Sequence, residues 1–312
     1  MTASSSLPLQ PNERTVIIDI LRGFALLGVI VANLTGFITF ALPDDQVALL
    51  TNTKADKIAE HFLMLFIDNK FITIFSLLFG YGFGVVIERV SAKGINVNSF
   101  FIRRMLILFL FSLLHVGIWW GEILNVYASC GLLLLFFRKS SNRRLLIWAA
   151  VLLLICTPLI QGLKMYLLPA NTVELDNLLT EYVISVKGKS IPDILYANYK
   201  AVWYIFFERW SQYRDMCEVL AKFLVGYYVL RMGWLSNIET FLPGIKKMRK
   251  ITLMISLLYL LEKTLVEIYG FELGGIEMKL VEYVFSRAGI LSLSLFYCTS
   301  LILMYQKNKE LK

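Results

Sequence analysis

Histidine occurs twice and cysteine four times in 312 residues, which leaves little room for metal or redox chemistry. Cys130, Cys156, Cys217 and Cys298 all fall in apolar stretches with no CxxC spacing, so neither a metal site nor a disulfide framework follows. They read as small buried hydrophobes. Charge is scarce as well, at 17% of residues against about 25% in an ordinary soluble domain. No Walker sequence, serine elbow or zinc signature occurs. The apolar runs do not alternate in roughly ten-residue segments, which excludes a transmembrane β-barrel. What the chain does have is apolar length: 57% hydrophobic residues and a mean hydropathy of +0.65. The expected fold is an all-α polytopic membrane bundle forming a single integral membrane domain over 1–312, with a disordered tail over about 1–12.

About eight spans are expected, at roughly 16–38, 70–90, 102–120, 123–138, 145–168, 216–233, 250–270 and 284–305. The fourth, "ILNVYASCGLLLLFF", is the shortest. The first is too long for a signal-peptide core and carries Asp19 and Arg22 within it, so it reads as a membrane helix. A net charge of +8 does not point to nucleic acid, because the basic residues cluster at the ends of apolar runs. "ERVSAK", Arg103–Arg104, "RKSSNRR", "KKMRK" and "QKNKELK" all fall on one side if the spans alternate, as do Arg14 and Arg22. The positive-inside rule makes that side cytoplasmic. The chain is therefore expected to be a multi-pass membrane protein, with both termini inside and the lipid bilayer as its first partner. The outer segments, about 40–69 and 169–215, hold amphipathic and aromatic-rich pieces expected to lie as interfacial helices.

Few residues in these runs could carry chemistry. Asp19 and Arg22, at i and i+3, share a helix face, and Asn33 continues the Arg22 stripe eleven residues on. Such a polar stripe must face protein or water. Two readings stand: an ion pair that orients the first helix, or an arginine that meets an anionic ligand. His115 lies eleven residues above Arg104, about 16 Å along a helix, near the middle of a core about 30 Å thick. It is either hydrogen-bonded to a neighbouring helix or placed for proton transfer. Glu122 shares its face two turns on. His61, beside Glu60, reads as interfacial. Glu262, Lys263, Glu267 and Arg287 fall inside apolar runs and need partners or a cavity. Gly80, Gly82 and Gly84 in "LFGYGFG" read as close helix packing and not as a phosphate loop. Trp119 and Trp120 read as outer-boundary indoles.

"RTVIIDILRGFALLGVIVANL", "KFITIFSLLFGYGFG" and "RRMLILFLFSLLHVGIWWGEILNVYASCGLLLL" resemble, in order and spacing, the YeiB-like family of bacterial inner-membrane proteins. "LAKFLVGYYVLRMGWL" resembles the start of that family's C-terminal region, the domain of unknown function numbered 418. "VFSRAGILSLSLFY" stands where the family carries a "GRMALTNY"-like motif, and about two fewer spans than the family pattern are expected after it. More remotely the family is similar to membrane acyltransferases of the heparan glucosaminide N-acetyltransferase type. That resemblance implies acyl transfer from a cytoplasmic acyl-CoA co-substrate to an extracytoplasmic acceptor. It matches Arg22 and Asp19 to the arginine and acid of the opening motif and His115 to the bundle histidine, with His115 and Asp19 as the expected catalytic residues. The donor's phosphates call for guanidinium groups, expected from Arg22, Arg103 and Arg104, and Asn33, Glu122, Glu262 and Arg287 are by position further polar groups of the bundle. No cofactor is expected to stay bound. The alternatives are a transporter or export accessory, or a non-catalytic membrane partner.

Overall fold

The computed structural model describes residues 16–39, 53–119, 121–168, 180–185, 187, 190–204, 210–270 and 274–310, with side chains up to 34 in the first stretch and 308 in the last. The expected N-terminal tail, Arg14, Trp120 and parts of both outer segments lie outside them. Helices α1 (Val16–Thr39), α2 (Lys54–Phe66), α3 (Lys70–Ala92), α4 (Val97–Ile118) and α5 (Leu124–Leu134) come first. Next are α6 (Asn142–Val151), a π-helical turn (Leu152–Cys156), α7 (Thr157–Leu167) and α8 (Ile191–Trp203). Finally come α9 (Ser211–Arg231), α10 (Ile238–Tyr269) and α11 (Gly275–Glu310). No strand occurs among the described residues.

Among the described residues five segments are long and apolar enough to cross a membrane: Val16–Leu34, Lys54–Ala92, Val97–Ile118, Asn142–Leu167 and Gly275–Asn308. Helices occupy the other three expected spans without meeting that test. At eleven residues, α5 rises only about 17 Å, short of a core of about 30 Å. Its last turn tightens into a 3₁₀ segment, Leu135–Phe137. Helix α9 carries Arg214, Asp215, Glu218 and Lys222 within its length. Helix α10 starts at Ile238, not near 250, and takes "KKMRK" into its own length. The amphipathic α2 is helical as expected, capped by Thr53 and Asp56, and passes through a turn at 67–69 into α3.

Helix α3 is the axis of the bundle. One apolar core joins it to α4, α5, α6 and α9 through Phe83, Phe101, Met105, Tyr127, Leu145, Phe223 and Leu224. A second joins it to α1, α10 and α11 through Ile17, Leu21, Phe71, Ile74, Leu78, Ile245 and Ile302. On α1 the buried positions, Ile17, Ile18, Leu21, Ala25 and Gly28, follow the period of a one-sided helix. That stripe leaves Asp19 and Arg22 on the exposed flank.

Where α3 crosses α9 the two backbones touch. A Cβ on Gly80 would collide with the carbonyl of Phe223, and one on Gly226 with the carbonyl of Leu77. Gly84, one turn below Gly80, receives the side chains of Tyr227 and Leu230. The small-xxx-small spacing is the usual route to such close approach in membrane helices. Phe79 and Phe223 stack at 4.4 Å beside the crossing. Lys70, fully buried at the head of α3, donates to the carbonyl of Met64 and to Tyr259 Oη at 3.3 Å. Ser294 in turn donates to the Lys70 carbonyl at 2.9 Å. These bonds tie α3 to α10 and α11.

Pro158 changes the form of its helix. Pro158 has no N–H for the Leu154 carbonyl, and the helix relaxes there into the π turn that such defects produce. Thr157 Oγ1 donates to the Leu152 carbonyl at 2.6 Å. Outside the core, α8 packs on the end of α4. Asn198 Nδ2 donates to the Gly117 carbonyl at 2.9 Å, and Tyr199 Oη to the Leu113 carbonyl at 2.7 Å. Lys200 on α8 pairs with Glu181 at 2.6 Å, a hydrogen bond that holds its ammonium above the ordinary lysine range.

The crossing gives a direct test. Gly80→Val and Gly226→Val are each expected to remove about 3 kcal/mol or more of stability, read as a large fall in thermal-unfolding midpoint or as loss of monodisperse protein in detergent. Gly23→Ala, where an added Cβ meets nothing within 4 Å, should gain about 0.5–1 kcal/mol from helix propensity. Equal behaviour of the three would remove the crossing from its central place.

Candidate functional site

Two arginines from different helices meet at one cleft. It has a volume of about 300 Å³ and lies between α1, α3 and α4. Arg22 and Leu26 line it from α1, Arg104 and Met105 from α4, and Phe75, Phe79, Gly82 and Val86 from α3. Gly82 leaves room for the guanidinium: Arg22 Nη2 lies 3.3 Å from where a Cβ would stand. Gly80 and Gly84 face α9, and Gly82, two residues from each, faces α1. Among the described residues the cleft wall holds two cations and no carboxylate. Its floor is aromatic and aliphatic, so the cleft suits an anion with an apolar body.

Asp19 stands beside this cleft but not in it. Its carboxylate is 3.7 Å from Arg22 Nη1, and the two side chains are 54% and 46% exposed. A pair so open and so long contributes at most about 1 kcal/mol, too little for a staple. Arg103 is exposed and is not on the wall. Asn33 spends its amide on its own helix, donating to the Val29 carbonyl at 2.8 Å.

His115 is exposed on α4 and does not line the cleft. It follows Arg104 by eleven residues, about 16 Å along the axis and about 20° past three full turns. The two therefore share a flank of α4, with Leu108 and Phe111 between them. Glu122 is buried at the junction of α4 and α5. Its carboxylate accepts from Ser112 Oγ at 2.5 Å, from the Leu124 N–H, and from the Asn125 N–H at 3.2 Å. That is a helix cap, and all three bonds are local to the junction.

The remaining expected residues belong to a polar group that the sequence reading only half finds. Arg287 Nε lies 3.2 Å from Glu218, a buried carboxylate of α9. Lys222 reaches the same carboxylate at 3.4 Å, and Tyr283 Oη donates to it at 2.8 Å. Arg214 pairs with Asp215 at 2.8 Å and donates to Gln161 at 3.2 Å. Lys263 takes Glu282 at 2.7 Å and lies 3.5 Å from Glu262. Glu262 Oε2 is buried with no hydrogen-bond partner among the described residues. Glu218 and Lys222 stand i, i+4 in "MCEVLAKF", a spacing that announces a helix pair. Nothing local announces that it is buried. No group of three or more metal-ligating side chains occurs among the described residues.

The apolar helices and the relatives together mark an integral membrane protein. The chain is 43% identical over 127 residues to an uncharacterized 39.9 kDa protein from the amylase 3′ region of Bacillus acidopullulyticus. It is 39% identical over 140 residues to the uncharacterized protein YxaH of Bacillus subtilis, and 33% identical over 128 residues to the uncharacterized protein YeiB of Escherichia coli. These matches take 41%, 42% and 39% of this chain, and 35%, 34% and 30% of the relatives. The chain thus spans about a third of the length of the curated relatives it matches. No family model and no solved structure matches.

The two kinds of charge pairing separate in stability. Glu218→Leu strands Lys222 and Arg287 in a buried site and is expected to cost about 3–5 kcal/mol. Asp19→Asn is expected to cost no more than about 1 kcal/mol. Unfolding midpoints of both variants in one detergent check the contrast, and a larger loss for Asp19→Asn would restore the staple.

Proposed function

We propose that the chain is a membrane acyltransferase that takes an acyl group from cytoplasmic acyl-CoA and delivers it to an extracytoplasmic acceptor. The observation that carries the reading is the cleft shared by Arg22 and Arg104, with two guanidinium groups over an apolar floor. Guanidinium forks match phosphate oxygens in geometry and keep their charge in any accessible environment. The phosphates of the donor would rest on Arg22 and Arg104, and its less polar arm along Phe75 and Phe79. In this reading the basic clusters put this end toward the cytoplasm, with both termini inside. The family resemblance points to the same reaction.

His115 is the base in this reading. It would take the proton from the acceptor's hydroxyl or amine as that oxygen or nitrogen attacks the thioester carbonyl, and the CoA thiolate would leave. The flank of α4 from Arg104 through Leu108 and Phe111 to His115 gives the donor's arm a route about 16 Å long. Arg103, off the cleft wall, has no part in holding the donor here, and Asp19 steadies Arg22 without touching the reacting atoms.

Equilibrium binding of labelled acetyl-CoA to the purified protein in nanodiscs tests the reading. Arg22→Ala and Arg104→Ala should each weaken binding about 10–100-fold, the loss of a charge-assisted hydrogen bond of about 1.5–3 kcal/mol. Arg103→Ala should leave it unchanged. His115→Ala should keep binding and abolish transfer of label to a hydroxyl- or amine-bearing acceptor. No binding by the unaltered chain, or binding indifferent to Arg22 and Arg104, sinks the proposal.

A further inference from the structure

On the opposite side of α3 from the arginine cleft lies a second cavity, of about 370 Å³, between α6, the π turn, α9 and α11. Leu77 of α3 borders it, whereas its neighbours Leu78 and Phe79 border the first cleft. Lys222 and Arg287 stand on its wall, with Tyr283 beside them, and no described carboxylate does. Glu218, the acid both cations meet, sits behind them. Asp215 is held by Arg214, and Glu282 and Glu262 both lie on Lys263. Among the described residues the ion-pair contacts of Lys222 and Arg287 are to Glu218 alone, so one carboxylate is in contact with two cations.

The donors are not exhausted by that carboxylate. An ammonium has three N–H groups and a guanidinium five. Among the described residues Lys222 makes one bond, to Glu218 at 3.4 Å. Arg287 bonds or pairs with Glu218 through Nη1 and Nε, leaving Nη2 unspent. Both side chains are largely buried, at 12% and 25% exposure. Surplus positive charge in an apolar setting is costly without a counter-charge. The rest of the lining is Leu146, Ala149, Ala150, Leu153, Leu154 and Leu291 with like residues. Leu146 and Leu154 are exposed on the flank of the bundle, so the cavity opens sideways, where lipid would lie.

We propose that this cavity binds an amphipathic anion, its carboxylate or phosphate head between Lys222 and Arg287 and its hydrocarbon chain against Leu146, Leu153 and Leu291. A volume of this size is within the range of small-molecule pockets. The head supplies the charge that Glu218 alone does not, and the chain covers apolar walls that a small inorganic anion would leave bare. A free fatty acid and an acidic phospholipid both carry such a head on a hydrocarbon chain. The site stands independently of the acyl-CoA cleft.

The test uses the full chain in phosphatidylcholine nanodiscs, with tritiated palmitate in one arm and tritiated phosphatidylglycerol in the other, each against empty discs. Saturable binding in at least one arm is expected, and the arm that saturates names the source of the head. Lys222→Met should weaken it at least tenfold, and Lys222→Arg should retain it. Ala150→Phe fills the mouth without touching the ionic group and should weaken it to a similar degree, which keeps the test valid where Lys222→Met does not fold. Arg22→Ala should leave this binding unchanged, so that failure of the acyl-CoA cleft and failure of this site are told apart. No saturable binding in either arm, or binding that survives both Lys222→Met and Ala150→Phe, overturns the proposal.

Discussion

The contact between the backbones of α3 and α9 is the constraint on which the other packing depends. Gly80 and Gly226 each lie against a carbonyl of the partner helix, and no residue with a Cβ fits either place. Because α3 is held so close to α9, the two apolar cores can be built on its flanks and share one axis. The same glycine run, shifted by two residues, opens the opposite face at Gly82 to Arg22. One short stretch of sequence thus sets both the tightest contact of the bundle and the room beside a candidate ligand site.

Charge is handled in two ways within this frame. On α1 and α4 it stays at the flank, half-exposed, and the arginines are free to turn toward a cleft. On α9, α10 and α11 it is buried and must be matched across helices, as Glu218 is by Lys222, Arg287 and Tyr283. The first arrangement contributes little to stability and leaves the cations available to a ligand. The second is coupled to folding, since removing one member leaves the others unmatched. Helices α10 and α11 form an antiparallel pair whose link is flanked by Gly270 and Gly275 at positive φ. Across that pair Gly289 receives the ring of Tyr259, the ring that also carries the Lys70 ammonium at 5.4 Å.

Helices were legible in the sequence because apolar length and period announce them, and all eight expected stretches are helical. Their capacity to cross a membrane was less legible. Helix α5 stops short, and α9 and α10 are interrupted by charges whose partners lie far along the chain. Arg287 is 69 residues from Glu218, and Tyr283 is 65. Lys70 hid at the edge of an apolar run, where a lysine ordinarily reaches for water, yet here it is buried. The Arg22 stripe leads along α1 to Asn33, whose amide is spent on its own helix. That Arg22 lines a cleft with Arg104 and not with Arg103 depends on how α1, α3 and α4 pack, which helical spacing alone does not tell. For Glu122, spacing suggested a face shared with His115. Its bonds show instead a carboxylate committed to the start of α5.

Helix α8 has a consequence of another kind. The C-terminal end of a helix presents open carbonyls and the negative end of its dipole. At the end of α4 the open carbonyl of Gly117 is taken by Asn198, and Tyr199 bonds the Leu113 carbonyl one turn further in, both from residues more than eighty positions later in the chain. A cation approaching that end meets an amide and a phenol already spent, with Tyr196 and Trp203 exposed around them. The aromatic segment therefore works as partial electrostatic insulation: an amide of α8 occupies a carbonyl that α4 would otherwise leave open, and the Lys200 ammonium over Tyr196 is itself paired with Glu181.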